Sequence, residues 1–147
     1  MKILVTGATG FVGRSVVAQI VEAGNHVTAL VRDPARATML PTDGVSVVRG
    51  DVLDFDSLVP ACKDVEAVLH LAAVIRESGR DQTFERVNVD GTRNLLNVAL
   101  LAGVVRVVWA GTVGAVDDPR LCYMRSRWLA EQLVVGNGIP FSILRFS

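Results

Sequence analysis

The sequence predicts an α/β fold, a doubly wound parallel sheet with helices on both faces. Three observations carry this. Short apolar runs alternate along the chain with stretches whose apolar residues recur at helical spacing. The first of those runs, Ile3-Leu4-Val5, leads straight into glycines at positions 7, 10 and 13, at the head of the first helical stretch. Half of the 147 residues are apolar, with a mean hydropathy of +0.41, a composition that suits strands buried on both faces.

Ile3 to Val5 has the length and continuity of such a strand. Val16, Val17, Ile20 and Val21 then share one side of a helix from about 11 to 23, which Gly24 ends. His26 to Val31 is the second strand, and Arg32-Asp33-Pro34 breaks it and opens a short helix or loop to about Leu40. Val45 to Val48 is the third strand. A short helix follows near Asp56 to Cys62, then Ala67 to Leu71 as the fourth strand. From about Gln82 to Ala102 the chain reads as one long helix, with Phe84, Val87, Leu95, Val98, Ala99 and Leu101 on its apolar side and Gly103 closing it. Val104 to Ala110 is the fifth strand, Leu121 to about Val135 a further helix, Gly136 to Pro140 a turn and Phe141 to Phe146 the sixth strand. Alternation of this kind implies right-handed crossovers and a six-stranded sheet ordered 3-2-1-4-5-6.

A chain of this length buries a full core as one domain, and no repeat, linker or low-complexity segment divides residues 1–147. Fifteen basic and fifteen acidic side chains cancel. Charge therefore gives no reason to expect nucleic acid or an anionic membrane as partner. No apolar run reaches the ~18 residues that span a bilayer, and Met-Lys-Ile-Leu-Val breaks at Thr6-Gly7 without a signal-peptide core, so a cytoplasmic protein is expected. Cys62 and Cys122 have neither metal-ligand spacing nor a disulfide framework. They are expected as reduced packing residues, with no metal site.

A doubly wound sheet binds its ligand beyond the carboxyl ends of its strands. Gly7 follows the first strand, Arg32 ends the second, Asp51 follows the third, Ala72 and Ala73 follow the fourth and Thr112 follows the fifth, so the candidates converge on one edge. Gly7 can make the tight turn, Gly10 lets backbone amides approach a ligand, and Gly13 lets the helix pack closely on the sheet. With the positive end of the helix dipole near Phe11, this loop suits a pyrophosphate; the plain alternative is a glycine-rich strand-to-helix turn. The end of the second strand usually separates the two nicotinamide cofactors, because a carboxylate there accepts from ribose hydroxyls whereas an Arg can grip a 2′-phosphate. Leu30-Val31-Arg32 favours NADP over NAD. Asp33, one step late, could still swing in, and otherwise Arg32 is a solvated residue at a strand end.

Gly-x-x-Gly-x-x-Gly with Thr6 in front closely resembles the opening of the short-chain dehydrogenase/reductase superfamily, particularly its extended and atypical branches, which include the epimerase/dehydratase-like proteins. The resemblance runs along the whole chain. It implies a Rossmann fold whose phosphate loop, Gly7, Thr9, Gly10, Phe11, Val12 and Gly13, holds NADP or NAD. Asp51-Val52 resembles the family pair in which the acid meets the adenine amino group and its neighbour packs on the ring; the alternative is a helix N-terminal acid. His70-Leu71-Ala72-Ala73 resembles the segment beside the ribose and nicotinamide, with a buried strand and a satisfied His as the alternative. Asn88, in Asn-Val-Asp-Gly91-Thr92, matches the family's helix motif, or is a polar group facing the sheet edge.

Tyr123 and Arg127, four apart on one predicted helix face, resemble the family's Tyr-x-x-x-Lys pair, and Thr112 aligns with its hydroxyl partner. The implied chemistry is hydride transfer at the nicotinamide, with Thr112 holding the oxygen of a sugar nucleotide or other small carbonyl substrate and Tyr123 moving its proton. Arg127 departs from the pattern. It keeps the charge of the expected Lys but is wider, planar and reluctant to lose a proton. Relatives of this kind continue well past residue 147, so the chain is expected to be part of a longer enzyme or a reduced cofactor-binding module. A nonenzymatic dinucleotide-binding sensor or scaffold is the alternative function. The helices at 82–102 and 121–135 also resemble those of a four-helix homodimer interface, to which Trp128, Leu129 and Leu133 would contribute unless they only cover the sheet.

Overall fold

A computed structural model describes residues 1–147. Its six parallel strands are β1 (Lys2–Thr6), β2 (His26–Val31), β3 (Val45–Arg49), β4 (Ala67–His70), β5 (Arg106–Thr112) and β6 (Phe141–Phe146), in the order β3-β2-β1-β4-β5-β6. This is the predicted order. Strand order reverses between β1 and β4, which opens a crevice at the carboxyl edge. The helices are α1 (Phe11–Glu22), α2 (Phe55–Ala61), α3 (Gly91–Leu101) and α4 (Cys122–Gly136), with a 3₁₀ helix over Pro34–Met39.

Alternation along each strand divides the core between two faces. On one face Val17 of α1 packs with Val5, Val27, Ala29, Val31 and Leu69. On the other, Leu58 of α2, Leu95 and Val98 of α3 and Val134 of α4 pack around Leu4, Val68, Val107 and Trp109. Parallel register aligns Val48, Leu30, Thr6, His70, Trp109 and Ile143 in one row across all six strands of this second face. Helices thus cover both faces, although the α1 face is open beyond β5, where Leu144 is 52% and Phe146 47% exposed.

Three local departures from the sequence reading have physical causes. The helix expected over 82–102 is not one regular helix. Phe84–Asp90 winds as a π-helix and α3 continues it from Gly91. The wider turn carries an extra residue and buries Val87, Asn88 and Val89 together, while the Thr92 hydroxyl donates to the Asn88 carbonyl at 2.7 Å. Gln82 stays outside the helix, in a bridge to Ser78. β5 begins and ends two residues later than expected because its pairing with β6 extends to Thr112↔Phe146. Cys62 is buried, as expected of a packing residue, and burial pushes its thiol up to about 11. Cys122 is not: it sits exposed in the first turn of α4.

Candidate functional site

A cavity of about 250 Å³ opens at the carboxyl ends of β1 to β4. Gly7, Thr9, Gly10, Arg32, Asp51, Val52, Leu71, Ala72 and Ala73 line it, together with Thr6, Leu30, Val31, Arg36, Gly50, Val74, Gln82 and Val87. Its glycine wall is built as the spacing requires. Gly7 holds φ +71°, and a Cβ there would lie 2.9 Å from the Ala72 amide nitrogen. A Cβ on Gly13 would lie 2.1 Å from the Gly7 carbonyl oxygen, so only glycine lets α1 start so close to the turn. Gly10 differs, since a Cβ there would meet only the Gly7 carbonyl, at 3.1 Å, leaving the space beyond it for a ligand. Gly10 is also the N-cap of α1, without a side-chain cap and without an acid in the first turn. The first amides of the helix are therefore free for an anion.

Phe11, Val12, Gly13 and Asn88 do not line the cavity. Phe11 is 88% exposed and Val12 lies exposed beside it, while Gly13 is buried under the turn. Asn88 is wholly buried and acts from below. Its Oδ1 accepts from the Val74 amide at 2.9 Å, and its Nδ2 donates to the Val74 carbonyl and to Ser126 Oγ, each at 3.0 Å. Ser126 Oγ in turn donates to the Tyr123 carbonyl at 2.7 Å. One amide side chain thus ties the cavity floor to the first turn of α4.

A second buried chain runs through His70. Thr92 spends its proton on the Asn88 carbonyl, so its oxygen accepts from His70 Nε2 at 2.9 Å. That leaves His70 Nδ1 as acceptor for the Thr6 hydroxyl at 2.6 Å, and Thr6 Oγ1 accepts from the Ala72 amide at 3.2 Å. Each donor meets one acceptor, which fixes the tautomer. Burial, reinforced by the charge of Arg127, holds the imidazole neutral by lowering its pKa to about 3. His70 is the satisfied buried residue, and the alanines after it form the floor.

At the rim, Asp51 Oδ1 accepts from the Leu53 amide at 3.0 Å, and Val52 is buried against Gly91 of α3. Asp33 caps the 3₁₀ helix, its Oδ1 accepting from the Ala35 amide at 3.0 Å. It does not line the cavity. Arg32 does, and so does Arg36, which sequence reasoning missed although it lies one turn further on. Gln82 was missed as well; its contact with Arg32 spans fifty residues and leaves no local signal.

Thr112, Tyr123 and Arg127 gather one strand further along, outside the cavity. Tyr123 Oη lies 3.4 Å from Thr112 Oγ1, and its ring stacks edge-on against Phe84 at 5.5 Å. Arg127 is only 3% exposed. Its guanidinium lies 4.5 Å over the Trp109 ring and its Nη2 donates to the Ala110 carbonyl, while Nε and Nη1 are buried without a partner. Burial lowers its pKa, and Tyr123 and Glu131 pull it back up. The cation is thus held beneath α4, on a buried indole, beside the hydroxyl pair.

A family of NAD(P)H-binding domains matches residues 7–147. The Photosystem II assembly factor Ycf39 of Synechocystis is 28% identical over 100% of this chain and 44% of its own length. Cinnamoyl-CoA reductase 1 of Oryza sativa subsp. japonica is 40% identical, matching 78% of this chain and 35% of its own. A crystal structure of a short-chain dehydrogenase/reductase superfamily protein from Agrobacterium tumefaciens with bound NAD is 34% identical, with a TM-score of 0.79 over 100% of this chain and 49% of its own. The chain spans about half, or less, of the length of these relatives.

Proposed function

The chain belongs to the short-chain dehydrogenase/reductase superfamily, in its NAD-dependent epimerase/dehydratase branch, and on that premise we propose that it is the NADP-binding half of an enzyme transferring hydride to or from a small carbonyl or hydroxyl substrate, sugar nucleotides included. It is an NAD(P)-binding domain of the kind these oxidoreductases and epimerases carry. The observation that carries the cofactor preference is the pair of guanidiniums, Arg32 and Arg36, on the cavity rim at the end of β2. Neither is in a salt bridge. A 2′-phosphate is the anion that such a pair accepts, and with Asp33 spent on a cap no carboxylate at the end of β2 lines the cavity to favour ribose hydroxyls. A bound nicotinamide dinucleotide would supply the hydride. The α1 amides and the glycine turn would hold its pyrophosphate, Asp51 and Val52 its adenine, and Thr112 and Tyr123 the substrate oxygen and its proton.

Calorimetric titration tests the preference. Arg32→Ala and Arg36→Ala are each expected to weaken NADP by roughly tenfold, about 1.4 kcal/mol, and to leave NAD nearly unchanged. Equal losses for both dinucleotides would contradict it.

A nonenzymatic role, as a dinucleotide-binding sensor or scaffold, is favoured by a separate observation: Arg127 is committed to Trp109 and Ala110. The match of this whole chain to 44% of a relative named as an assembly factor points the same way. Turnover separates the readings. If Arg127 is what limits the chemistry, Arg127→Lys raises carbonyl reduction by at least about tenfold, part of the ~10² to 10⁴ that a proton-transfer group supplies; if a substrate-binding part is what limits it, only a longer chain turns over, and no turnover by that longer chain either, with cofactor bound, favours the scaffold. The proposal extends to a cytoplasmic homodimer joined through α3 and α4, which pack side by side and expose Arg93, Asn97 and Gln132 along their groove. Leu133 packs against the core and Trp128 and Leu129 are half-buried, so this face is less apolar than the sequence suggests. No helix is long and apolar enough to cross a membrane. A monomeric mass in light scattering at high concentration would rule the dimer out.

A further inference from the structure

The chain between β4 and the π-helix leaves the sheet along the cavity floor and comes back to the cavity at Gln82, on the side of β2. An antiparallel bridge closes this excursion, the Ser78 amide donating to the Gln82 carbonyl at 3.0 Å. The side chain of Gln82 reaches across instead. Its Oε1 accepts from Arg32 Nη1 at 2.7 Å, joining the excursion to the end of β2. Arg32 has no carboxylate partner, so its charge is met at that nitrogen by a neutral amide oxygen.

We propose that Gln82 is a specificity-determining residue, a neutral placeholder that keeps Arg32 turned into the cavity and gives it up to the phosphate of a 2′-phosphorylated dinucleotide. This rests on the NADP reading above and deepens it. A phosphate meets the guanidinium with a full opposite charge and through two parallel bonds, whereas the amide oxygen is a single neutral acceptor, so phosphate displaces it. Once displaced, the Gln82 amide still has two N–H donors to offer the same phosphate. A carboxylate in its place behaves in the opposite way. It pairs with Arg32 as a bidentate ion pair, repels the phosphate, and offers acceptors to ribose hydroxyls. Neutrality at position 82 is therefore the property that sets the preference, and Gln82→Glu changes it with almost no change of shape.

The test is calorimetric titration of wild-type protein, Gln82→Glu and Gln82→Ala with NADP⁺, NAD⁺ and the fragment 2′,5′-ADP. Gln82 and Arg32 are both on the surface side of the cavity, so all three proteins are expected to melt together, within a few degrees. Expected for Gln82→Glu is at least a tenfold loss for NADP⁺ and for 2′,5′-ADP, with NAD⁺ changed less than threefold. Gln82→Ala removes the placeholder and its two donors without adding charge, so a loss for NADP⁺ and 2′,5′-ADP smaller than that of Gln82→Glu is expected, with NAD⁺ unchanged; Gln82→Ala that binds NADP⁺ as wild type does would overturn the placeholder role. Wild-type protein that binds NADP⁺ while Gln82→Glu binds it equally well, or loses NAD⁺ to the same extent, would overturn the role of Gln82 alone. Wild-type protein that binds neither dinucleotide would overturn the cofactor reading and this inference with it.

Discussion

Arg127 shows what holds a buried cation in this fold. The guanidinium is broad and flat enough to lie on the Trp109 ring, so the cation is stabilised beneath α4 by an indole face and a backbone carbonyl. Two of its nitrogens are buried without acceptors, and each orphaned donor costs on the order of 1 to 3 kcal/mol. Arg127→Met, which keeps the packing and removes the charge, is therefore expected to unfold within about 1 kcal/mol of wild type, whereas Arg127→Ala leaves a void and loses about 2 kcal/mol or more. Denaturant midpoints check this, and a loss for Met as large as for Ala would show that the charge itself holds α4. His70 is the other buried ionisable group. Its pKa falls from 6.5 to about 3 on folding, so between those values the unfolded chain takes up a proton that the native chain refuses. Stability is thus lost as pH falls through that window, at up to about 1.4 kcal/mol per pH unit. His70→Gln should lose stability less steeply from pH 6.5 to pH 4; equal slopes would mean that His70 does not titrate there. The two thiols provide a third check, because a thiol reagent should label exposed Cys122 in the native protein and Cys62 only on unfolding.

The elements show what periodicity can and cannot reveal. A period of 3.6 located the helical stretch ending at Gly103, because Leu95, Val98 and Ala99 fall on one side of α3 and are buried. The π-helix before it was not legible. One inserted residue shifts the phase without removing any apolar position, and Val87 and Asn88 are read equally well as neighbours on an α-helix. What marks it is tertiary, namely the Asn88 contacts to Val74 and Ser126. Gly91 records the same crowding, since a Cβ there would come within 2.6 Å of Val52 Cγ2 in the cavity wall. Gly136, in the last turn of α4, faces open space. Gly136→Ala is accordingly expected to stabilise by about 0.4 to 1 kcal/mol, while Gly91→Ala gains the same propensity and gives it back to overpacking worth about 1 to 3 kcal/mol. Thermal melts of the two variants compare them directly, and equal gains would mean that α3 can move off Val52 at no cost.

At the scale of the molecule, strand order and the edge that carries the site were legible because both follow from chain connectivity: parallel crossovers are right-handed as a rule, and in a parallel sheet each loop after a strand opens on the same side. The glycine turn was legible for the same reason, since Gly7 and Gly13 answer to contacts made within a few residues or with the adjacent strand. The part contributed by distant residues was not. Arg32 meeting Gln82, Thr6 meeting His70 and Arg127 lying on Trp109 join positions that only the assembled sheet brings together. Packing is just as uneven across the molecule. Trp109→Ala, at the centre of the covered face, should cost about 3 to 5 kcal/mol, and Leu144→Ser on the open face should stay within about 0.5 kcal/mol. The central claim, that the Gly7–Gly13 turn and the start of α1 bind the pyrophosphate of a nicotinamide dinucleotide, is tested most directly by titrating wild-type protein and Gly10→Leu with NADP⁺ in a calorimeter. A side chain at position 10 meets little of the protein but fills the space where the ligand must lie, so the account predicts micromolar or tighter binding by wild type and none by a Gly10→Leu protein that still melts cooperatively. Wild-type protein that is well folded and takes up neither NADP⁺ nor NAD⁺, or a folded Gly10→Leu that binds as wild type does, would contradict it.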